Sequence, residues 1–213
     1  MTEFALRDNC SATSLLSWSF SRDCQVWLTS DLQAETSGTI TLSISQWRTD
    51  KQFFCTSFEA SIGAAASARV YSLDLHSVRE LRLDTDIDDE SGCSLRDVFL
   101  YTQFSASRAL DQGSSKAVSW CKFVPFRDIA LPRPDLTLSS VNATQDGIFV
   151  SVTAKENAPF VWLSSGSIEG RFSENGFFLR RGESRRVEFL CWSPISLAKL
   201  QKELSVRSIR DTY

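Results

Sequence analysis

Residues 39–45, Thr-Ile-Thr-Leu-Ser-Ile-Ser, alternate strictly between polar and apolar side chains. Successive side chains of a β-strand point to opposite faces, so this pattern predicts a strand buried on one face. Similar runs recur along the chain with turn-forming residues between them, at 24–29, 52–58, 69–75, 97–104, 117–124, 136–141, 147–154, 159–163, 176–180, 185–192 and 205–210. Strands that follow one another without long helices predict an all-β protein built from antiparallel β-sandwiches.

The composition agrees with this class. The chain holds 33 Ser and 14 Thr against one Met and one His, with 15 Phe and 6 Trp. This is typical of aromatic cores beneath polar β-surfaces. The net charge of −3 argues against a nucleic-acid or anionic-membrane partner, which would need a concentrated positive field. The 213 residues are too few for a (β/α)₈ barrel, which typically takes about 250.

A proline cluster divides the chain. In Pro-Phe-Arg-Asp-Ile-Ala-Leu-Pro-Arg-Pro-Asp, at 125–135, three prolines cannot donate to a strand ladder, so we expect an extended linker. The predicted domains are a first sandwich at 1–130, whose first 20 or so residues are uncertain, a linker at 131–135 and a second sandwich at 136–213. Capping patterns predict two short helices, one over 78–83 and one that begins at Ser193-Pro194 and runs to Leu204.

Catalytic and metal motifs are weak. The only histidine, His76, follows a predicted strand, where a surface or loop role is expected. The acidic run 84–90 begins like a calcium loop, but Asp89 and Leu95 stand where such a loop needs Gly and Glu. We therefore expect a solvated loop, and no catalytic residue, cofactor or metal site. Among the acids near the 159–163 strand, nothing in the spacing selects a glycosidase pair.

Phe160 and Trp162 alternate on the 159–163 strand and leave two interpretations open. Aromatic rings can stack on the face of a sugar, but at alternating strand positions they more often belong to the core. We expect Trp162 to be mostly buried.

Six widely spaced cysteines fit either buried thiols of a cytosolic protein or disulfides of a secretory one. Asn142-Ala-Thr144 is a sequon for N-glycosylation, and Asn9-Cys-Ser11 is a weaker one. The first ten residues lack the apolar segment of a signal peptide, and no run is long and apolar enough to span a membrane.

The stretch 158–178 resembles the C-terminal Ig-like domain of β-mannosidases of glycoside hydrolase family two. That domain has a Pro-Phe-Val-Trp-Leu strand followed by a Gly-Arg-Phe-Ser-x-Asn-Gly-Phe loop. The matching signature residues are Pro159, Phe160, Trp162, Gly170, Arg171, Phe172, Asn175 and Gly176, and Trp192 matches near the end. Residues 26–32, the strand to Trp47 and residues 104–132 are similar to the preceding mannosidase Ig/carbohydrate-binding-module-like domain. The resemblance covers about 20–213, and Met1–Phe20 has no clear counterpart.

The resemblance implies two tandem immunoglobulin-like sandwiches and a function. Full-length family members release terminal non-reducing β-D-mannose, in animals from fragments of N-linked glycans in lysosomes. They use two glutamates on an N-terminal (β/α)₈ barrel, and the acid/base follows an asparagine. No asparagine here is followed by glutamate, so no catalytic residue is carried over. The expected role is a non-catalytic C-terminal accessory part. Its partner would be the catalytic barrel, in cis, and β-mannosyl oligosaccharide is a further candidate ligand.

The resemblance also implies details of the site. Arg171 either pairs with a carboxylate of the barrel region, or its loop packs inside its own domain. The resemblance favours a Cys55–Cys93 disulfide and a lysosomal location, whereas a chain expressed without a leader would be cytoplasmic. Two alternatives stay open, a free-standing carbohydrate-binding module and an extracellular Ig-like interaction module.

Overall fold

The computed structural model describes residues 4–9, 23–74, 95–107, 116–144 and 147–212. The chain forms two compact units, Met1–Ala130 and Leu131–Tyr213. All strand pairs among the described residues are antiparallel. The prediction of an all-β fold with two tandem sandwiches is confirmed.

The first unit is a sandwich of two sheets. Its strands are β1 (Phe4–Asn9), β2 (Asp23–Ser30), β3 (Thr36–Gln46), β4 (Gln52–Ile62), β5 (Ala66–Asp74), β6 (Val98–Ala106) and β7 (Lys116–Lys122). One sheet has the order β1-β2-β5 and the other β4-β3-β6-β7. Strand β1 lies within the Met1–Phe20 segment that had no counterpart, and it pairs with β2 along its whole length.

The second unit is a smaller sandwich. Its elements are β8 (Thr137–Thr144), β9 (Gly147–Thr153), β10 (Ala158–Ser164), β11 (Gly170–Phe172), β12 (Phe177–Leu179), β13 (Ser184–Cys191), helix α1 (Leu197–Glu203) and β14 (Ser205–Arg207). The sheet orders are β12-β10-β14 and β11-β13-β9-β8. Between the sheets lies an apolar core that includes Val150, Val161, Leu163 and Phe189.

Strand β3 lies between β4 and β6, and its apolar residues face the core as the alternation predicts. Ile40, Leu42 and Ile44 are at most 1% exposed. Its serines differ from the expectation of a polar outer face, because Ser43 and Ser45 are also buried. Close by in the same unit, Trp47 packs on Phe99 and Trp120 with ring centroids 4.5 and 6.1 Å away.

The proline segment is not simply extended. Residues Phe126–Asp128 form a 3₁₀ helix, and the Phe126 ring packs on Trp120 at 6.1 Å. The backbone carbonyls of Ala130 and Leu131, the last residue of the first unit and the first of the second, each accept a hydrogen bond from an arginine. Within the first unit Arg48 Nε donates to the carbonyl of Ala130 (3.3 Å), and within the second Arg210 Nε donates to that of Leu131 (3.1 Å).

Two predicted boundaries near the C-terminus are wrong. Helix α1 is capped by Ser196, whose hydroxyl accepts from the backbone N of Lys199 (3.2 Å), rather than by Ser193. The last strand stops at Arg207, because the Asp211 carboxylate accepts from the backbone N of Ser208 (2.6 Å) and closes a 3₁₀ turn. The predicted helix at 78–83, His76 and the acidic run 84–90 lie outside the described residues.

Gly38 and Gly63 form a matched pair for testing the packing of the first unit. A Cβ on Gly38 would collide with the Ser105 carbonyl oxygen and would lie 2.7 and 2.8 Å from Phe104 ring atoms. The nearest atom to a Cβ on Gly63 is 3.8 Å away. We expect Gly38→Ala to lower the free energy of unfolding by about 1–3 kcal/mol. Gly63→Ala should change it by no more than about 0.5 kcal/mol. Urea denaturation followed by circular dichroism measures both, and equal effects would contradict the packing described.

Candidate functional site: an exposed aromatic face on β10

Strand β10 presents two aromatic side chains to solvent. Phe160 is 45% exposed and Trp162 is 58% exposed, while Val161 and Leu163 are buried in the core. The expectation that Trp162 is mostly buried is therefore wrong, and Phe160 is likewise outside the core. The side chains do alternate between core and solvent, but it is the smaller aliphatic residues, Val161 and Leu163, that face the core.

Phe160 has a strained backbone. Its φ is 53°, in the left-handed region that bulky residues rarely adopt. The register between β10 and β12 shifts between Ala158 and Val161, so the strand carries an irregularity at this point. Such strain persists only where the surrounding structure fixes it, and it is often found at functional positions.

The 173–176 loop fixes this part of β10. The Asn175 side-chain Oδ1 accepts from the backbone N of Leu163 (2.7 Å), and its Nδ2 donates to the carbonyl of Leu163 (3.0 Å). The Gly176 backbone N donates to the carbonyl of Val161 (2.8 Å). Gly176 has φ 75°, which favours glycine. The Asn175 amide thus bonds Leu163 as a neighbouring strand would.

The other end of the same loop is bonded to the opposite sheet. The Ser173 backbone N donates to the carbonyl of Glu188 on β13 (2.8 Å), and the Ser173 hydroxyl accepts from the backbone N of Glu188 (3.2 Å). The Glu174 carboxylate accepts two hydrogen bonds from Arg185 Nη1, at 3.0 and 3.2 Å. The Arg185 guanidinium also lies over the Phe177 ring at 4.9 Å. The loop therefore ties the two sheets of the second unit together.

Gly170, Arg171 and Phe172 form the short edge strand β11. A Cβ on Gly170 would lie 2.5 Å from the Phe189 ring, and Phe172 packs on Phe189 with centroids 5.0 Å apart. Arg171 is exposed and makes no ion pair with any carboxylate that the structure describes. Of the two alternatives for this segment, residues 173–176 follow the second, because they bond within their own domain. Arg171 remains exposed, so its pairing with a carboxylate of the barrel region stays a prediction.

Arg207 lies directly opposite Trp162, on β14. Sequence reasoning predicted a strand at 205–210 but did not identify Arg207 as a site residue, because the pairing of β14 with β10 cannot be read from either strand's own pattern. Pro159 is buried beneath the face, whereas Trp192, 71% exposed, stands at the end of β13 in the other sheet.

Two acids near β10, Glu156 and Glu174, pair with arginines of the same unit. Glu156 lies 3.5 Å from Arg181, and Glu174 binds Arg185 as above. A groove of about 440 Å³ between residues 133–136 and 206–211 contains Asp135 and Asp211. Asp211 accepts from Ser208, and Asp135 lies 3.9 Å from Lys155 Nζ. Within the described ranges, no three His, Cys, Asp or Glu side chains are grouped to hold a metal ion, and no helix is long and apolar enough to cross a membrane.

Cys55 is a free, exposed thiol, so the Cys55–Cys93 disulfide implied by the resemblance is wrong. Cys55 alternates with half-buried neighbours on β4 and points to the solvent side of the sheet. Cys24, by contrast, is buried and disulfide-bonded. Cys121 and Cys191 are free.

Comparison with known families agrees with this architecture. Residues 131–212 match the model of an Ig-fold domain of mannosidases, and residues 22–128, half of the chain, match the mannosidase Ig/CBM-like domain. The chain belongs to the family of mannosidase Ig/CBM-like domains. Mouse β-mannosidase is 47% identical over 76 residues, which are 35% of this chain. β-Mannosidase A of Emericella nidulans is 26% identical over 211 residues, 91% of this chain.

The chain spans only a small part of these β-mannosidases. Its matches cover 8% of the mouse protein and 20% of the Emericella protein. Among solved structures, β-D-mannosidase from Dictyoglomus thermophilum superposes with a TM-score of 0.63 at 16% identity, covering 97% of this chain and 21% of that one. An exo-chitosanase from Amycolatopsis orientalis gives 0.53 at 15% identity, covering 90% and 25%. These likenesses show a shared fold.

Replacing Asn175 tests whether its amide holds β10. Asn175→Ala leaves the partly buried N–H and carbonyl of Leu163 without partners, so we expect a loss of about 2–3 kcal/mol in the free energy of unfolding. Asn175→Asp keeps the hydrogen-bond acceptor but loses the donor. Its free energy of unfolding should lie between those of Asn175→Ala and the wild type. Urea denaturation of the bacterially produced chain measures these differences. A loss below about 0.5 kcal/mol for Asn175→Ala would contradict the proposed role of the amide.

Glu203, at the end of α1, introduces a pH dependence. Its Oε2 accepts from the backbone N and the hydroxyl of Ser167, both at 2.7 Å. The backbone hydrogen bond, then the hydroxyl, lowers the pKa of Glu203 below its ordinary 4.5, and Lys199 and Lys202 act in the same direction. Because the folded pKa is below the unfolded one, this contribution to stability is present above pH 4.5 and is lost as the pH falls through the folded pKa.

We therefore expect the stability difference between the wild type and Glu203→Gln to shrink as the pH is lowered past 4.5. Thermal unfolding across a series of buffers measures it. Glu169→Gln controls for the loss of one negative charge, because the Glu169 carboxylate has no hydrogen bond or ion pair with a residue that the structure describes. A difference that stays constant with pH would refute the contribution of the Ser167 contacts.

Proposed function

We propose that this chain is the non-catalytic, C-terminal accessory part of a β-mannosidase-type glycoside hydrolase, and that the β10 face packs against the catalytic barrel of that enzyme. The parent enzyme would release terminal non-reducing β-D-mannose from oligosaccharides derived from N-glycans, in the lysosome. The exposure of Phe160 and Trp162 on a strand that its own domain holds rigidly carries this proposal.

Three features favour a protein partner for this face. Aromatic side chains and arginine are enriched at the centres of protein interfaces, and Phe160, Trp162 and Arg207 supply both. The strained φ of Phe160 and the hydrogen bonds of Asn175 fix the face before a partner arrives, so less entropy is lost on docking. The relatives are also much longer chains, so they contain further domains for the face to contact.

Binding of carbohydrate is the second candidate. An exposed indole such as that of Trp162 offers a flat apolar surface on which a sugar ring can stack. Under this alternative the chain would bind β-mannosyl oligosaccharide without hydrolysing it.

A chimera tests docking to the barrel. Residues 131–213 replace the matching segment of mouse β-mannosidase, and hydrolysis of an aryl β-mannoside is measured during incubation at elevated temperature. We expect the chimera to be active. The chimera with Trp162→Ser should lose activity several-fold faster than the unsubstituted chimera, because the interface loses its largest apolar contact. In the isolated 213-residue chain, Trp162→Ser should leave the thermal midpoint nearly unchanged, since the indole is exposed there.

Trp192→Ser is the matched control, an exposed tryptophan on the other sheet of the same unit, and it should behave as the unsubstituted chimera does. Equal inactivation rates for the unsubstituted chimera and Trp162→Ser would refute docking through β10. Calorimetric titration of the isolated chain with β-mannobiose distinguishes the second candidate. Binding that disappears in Trp162→Ser would favour the carbohydrate module.

A further inference from the structure

Strand β8 is an edge of the four-stranded sheet in the second unit. An edge strand exposes unpaired backbone N–H and C=O groups, which can pair with another chain. Proteins usually protect such edges with bulges, charges or a covering segment. The two halves of β8 differ in this protection.

The first half of β8 has a bulge. Its register with β9 shifts between Leu138 and Ser140, and the Ser139 hydroxyl donates to the carbonyl of Ser151 (3.3 Å). The second half is regular, and Ser140 to Thr144 pair in unbroken register with Ser151 to Gly147. No Lys, Arg, Asp, Glu or Pro occurs between residues 137 and 144. The second half of this edge strand therefore has neither a bulge nor a charged residue or proline to prevent pairing with another chain.

The sequon occupies this second half. Asn142, Ala143 and Thr144 are all exposed, so the residues that the structure describes in this unit leave this end of β8 open to solvent. Asn142 lies directly opposite Phe149 on β9, and the Phe149 ring already holds the Arg186 guanidinium at 3.7 Å. A bulky group attached to the Asn142 amide would project from the surface beside this ring without displacing a core residue.

We propose that Asn142 carries an N-linked glycan that covers the open end of the β8 edge and prevents strand pairing between copies of the chain. This rests on the lysosomal route of the proposed function, because only a chain that enters the secretory pathway meets the transferring enzyme. It is independent of how the β10 face docks.

The modification is a glycosyl transfer. The Asn142 side-chain nitrogen attacks the anomeric carbon of an oligosaccharide that is linked to a lipid diphosphate. A C–N bond forms, the bond between that carbon and the diphosphate oxygen breaks, the lipid diphosphate leaves, and the amide nitrogen loses one proton. The acceptor requires a hydroxyl two residues on, which Thr144 supplies.

The test uses the whole chain secreted from cultured animal cells behind a cleavable signal peptide. We expect treatment with peptide-N-glycosidase F to lower the apparent mass on a denaturing gel by one step, the mass of a single glycan. Asn142→Gln and Thr144→Ala should abolish the step. Thr144→Ser, which keeps the hydroxyl, and Asn9→Gln, which removes the other sequon, should retain it. A step that persists in Thr144→Ala, or no step in the wild type, would overturn the assignment.

Size-exclusion chromatography of the same secreted proteins tests the covering role. The self-associated fraction should rise in both Asn142→Gln and Thr144→Ala and stay at the wild-type level in Thr144→Ser. The enzymatically deglycosylated protein is not the comparison, because the enzyme leaves aspartate, whose charge itself protects an edge. Unchanged self-association in both glycan-free variants would refute the covering role. Neither readout depends on docking to a barrel, so failure here and failure of the proposed function are separate results.

Discussion

The second unit depends on one side chain that replaces a piece of strand. Strand β12 is only three residues long, Phe177–Leu179, and beyond it the Asn175 amide continues the pairing with β10 through both polar groups of Leu163. From the same loop, Ser173 bonds to β13 in the opposite sheet. Without these contacts, β10 would have unpaired backbone groups where Phe160 and Trp162 emerge. The aromatic face therefore exists because a short polar loop completes the sheet beneath it.

Much of the fold was predictable from the sequence, because most strands have one apolar and one polar face. The alternation at 39–45 identifies β3 and its inward residues Ile40, Leu42 and Ile44. It does not reveal that Ser43 and Ser45 are buried as well, since the same alternation fits a strand with a solvent-exposed second face. The capping serine of α1 was misplaced for a similar reason, because both Ser193 and Ser196 fit the local pattern and only the folded chain distinguishes them.

The candidate site was harder to predict. Residues 159–163 are apolar throughout, so the sequence contains no polar residue to show which side of the strand faces the core. The signature residues around it have different roles in the fold, and the sequence pattern does not show which role each one has. Asn175 and Gly176 bind their own domain, whereas Arg171 stays exposed. The Cys55–Cys93 disulfide was expected from the family resemblance alone, and it was wrong because Cys55 is free. The widely spaced cysteines do not specify their pairing.

The φ of Phe160 has a consequence for how this protein family can change over time. A glycine at this position would adopt the same backbone without strain, which for a non-glycine residue costs about 1–3 kcal/mol. Selection for the stability of this domain alone would thus remove the ring. This chain nevertheless has phenylalanine at position 160, so its exposed ring is present despite the cost of the backbone strain. At position 160 the backbone conformation favours one amino acid and the chain contains another.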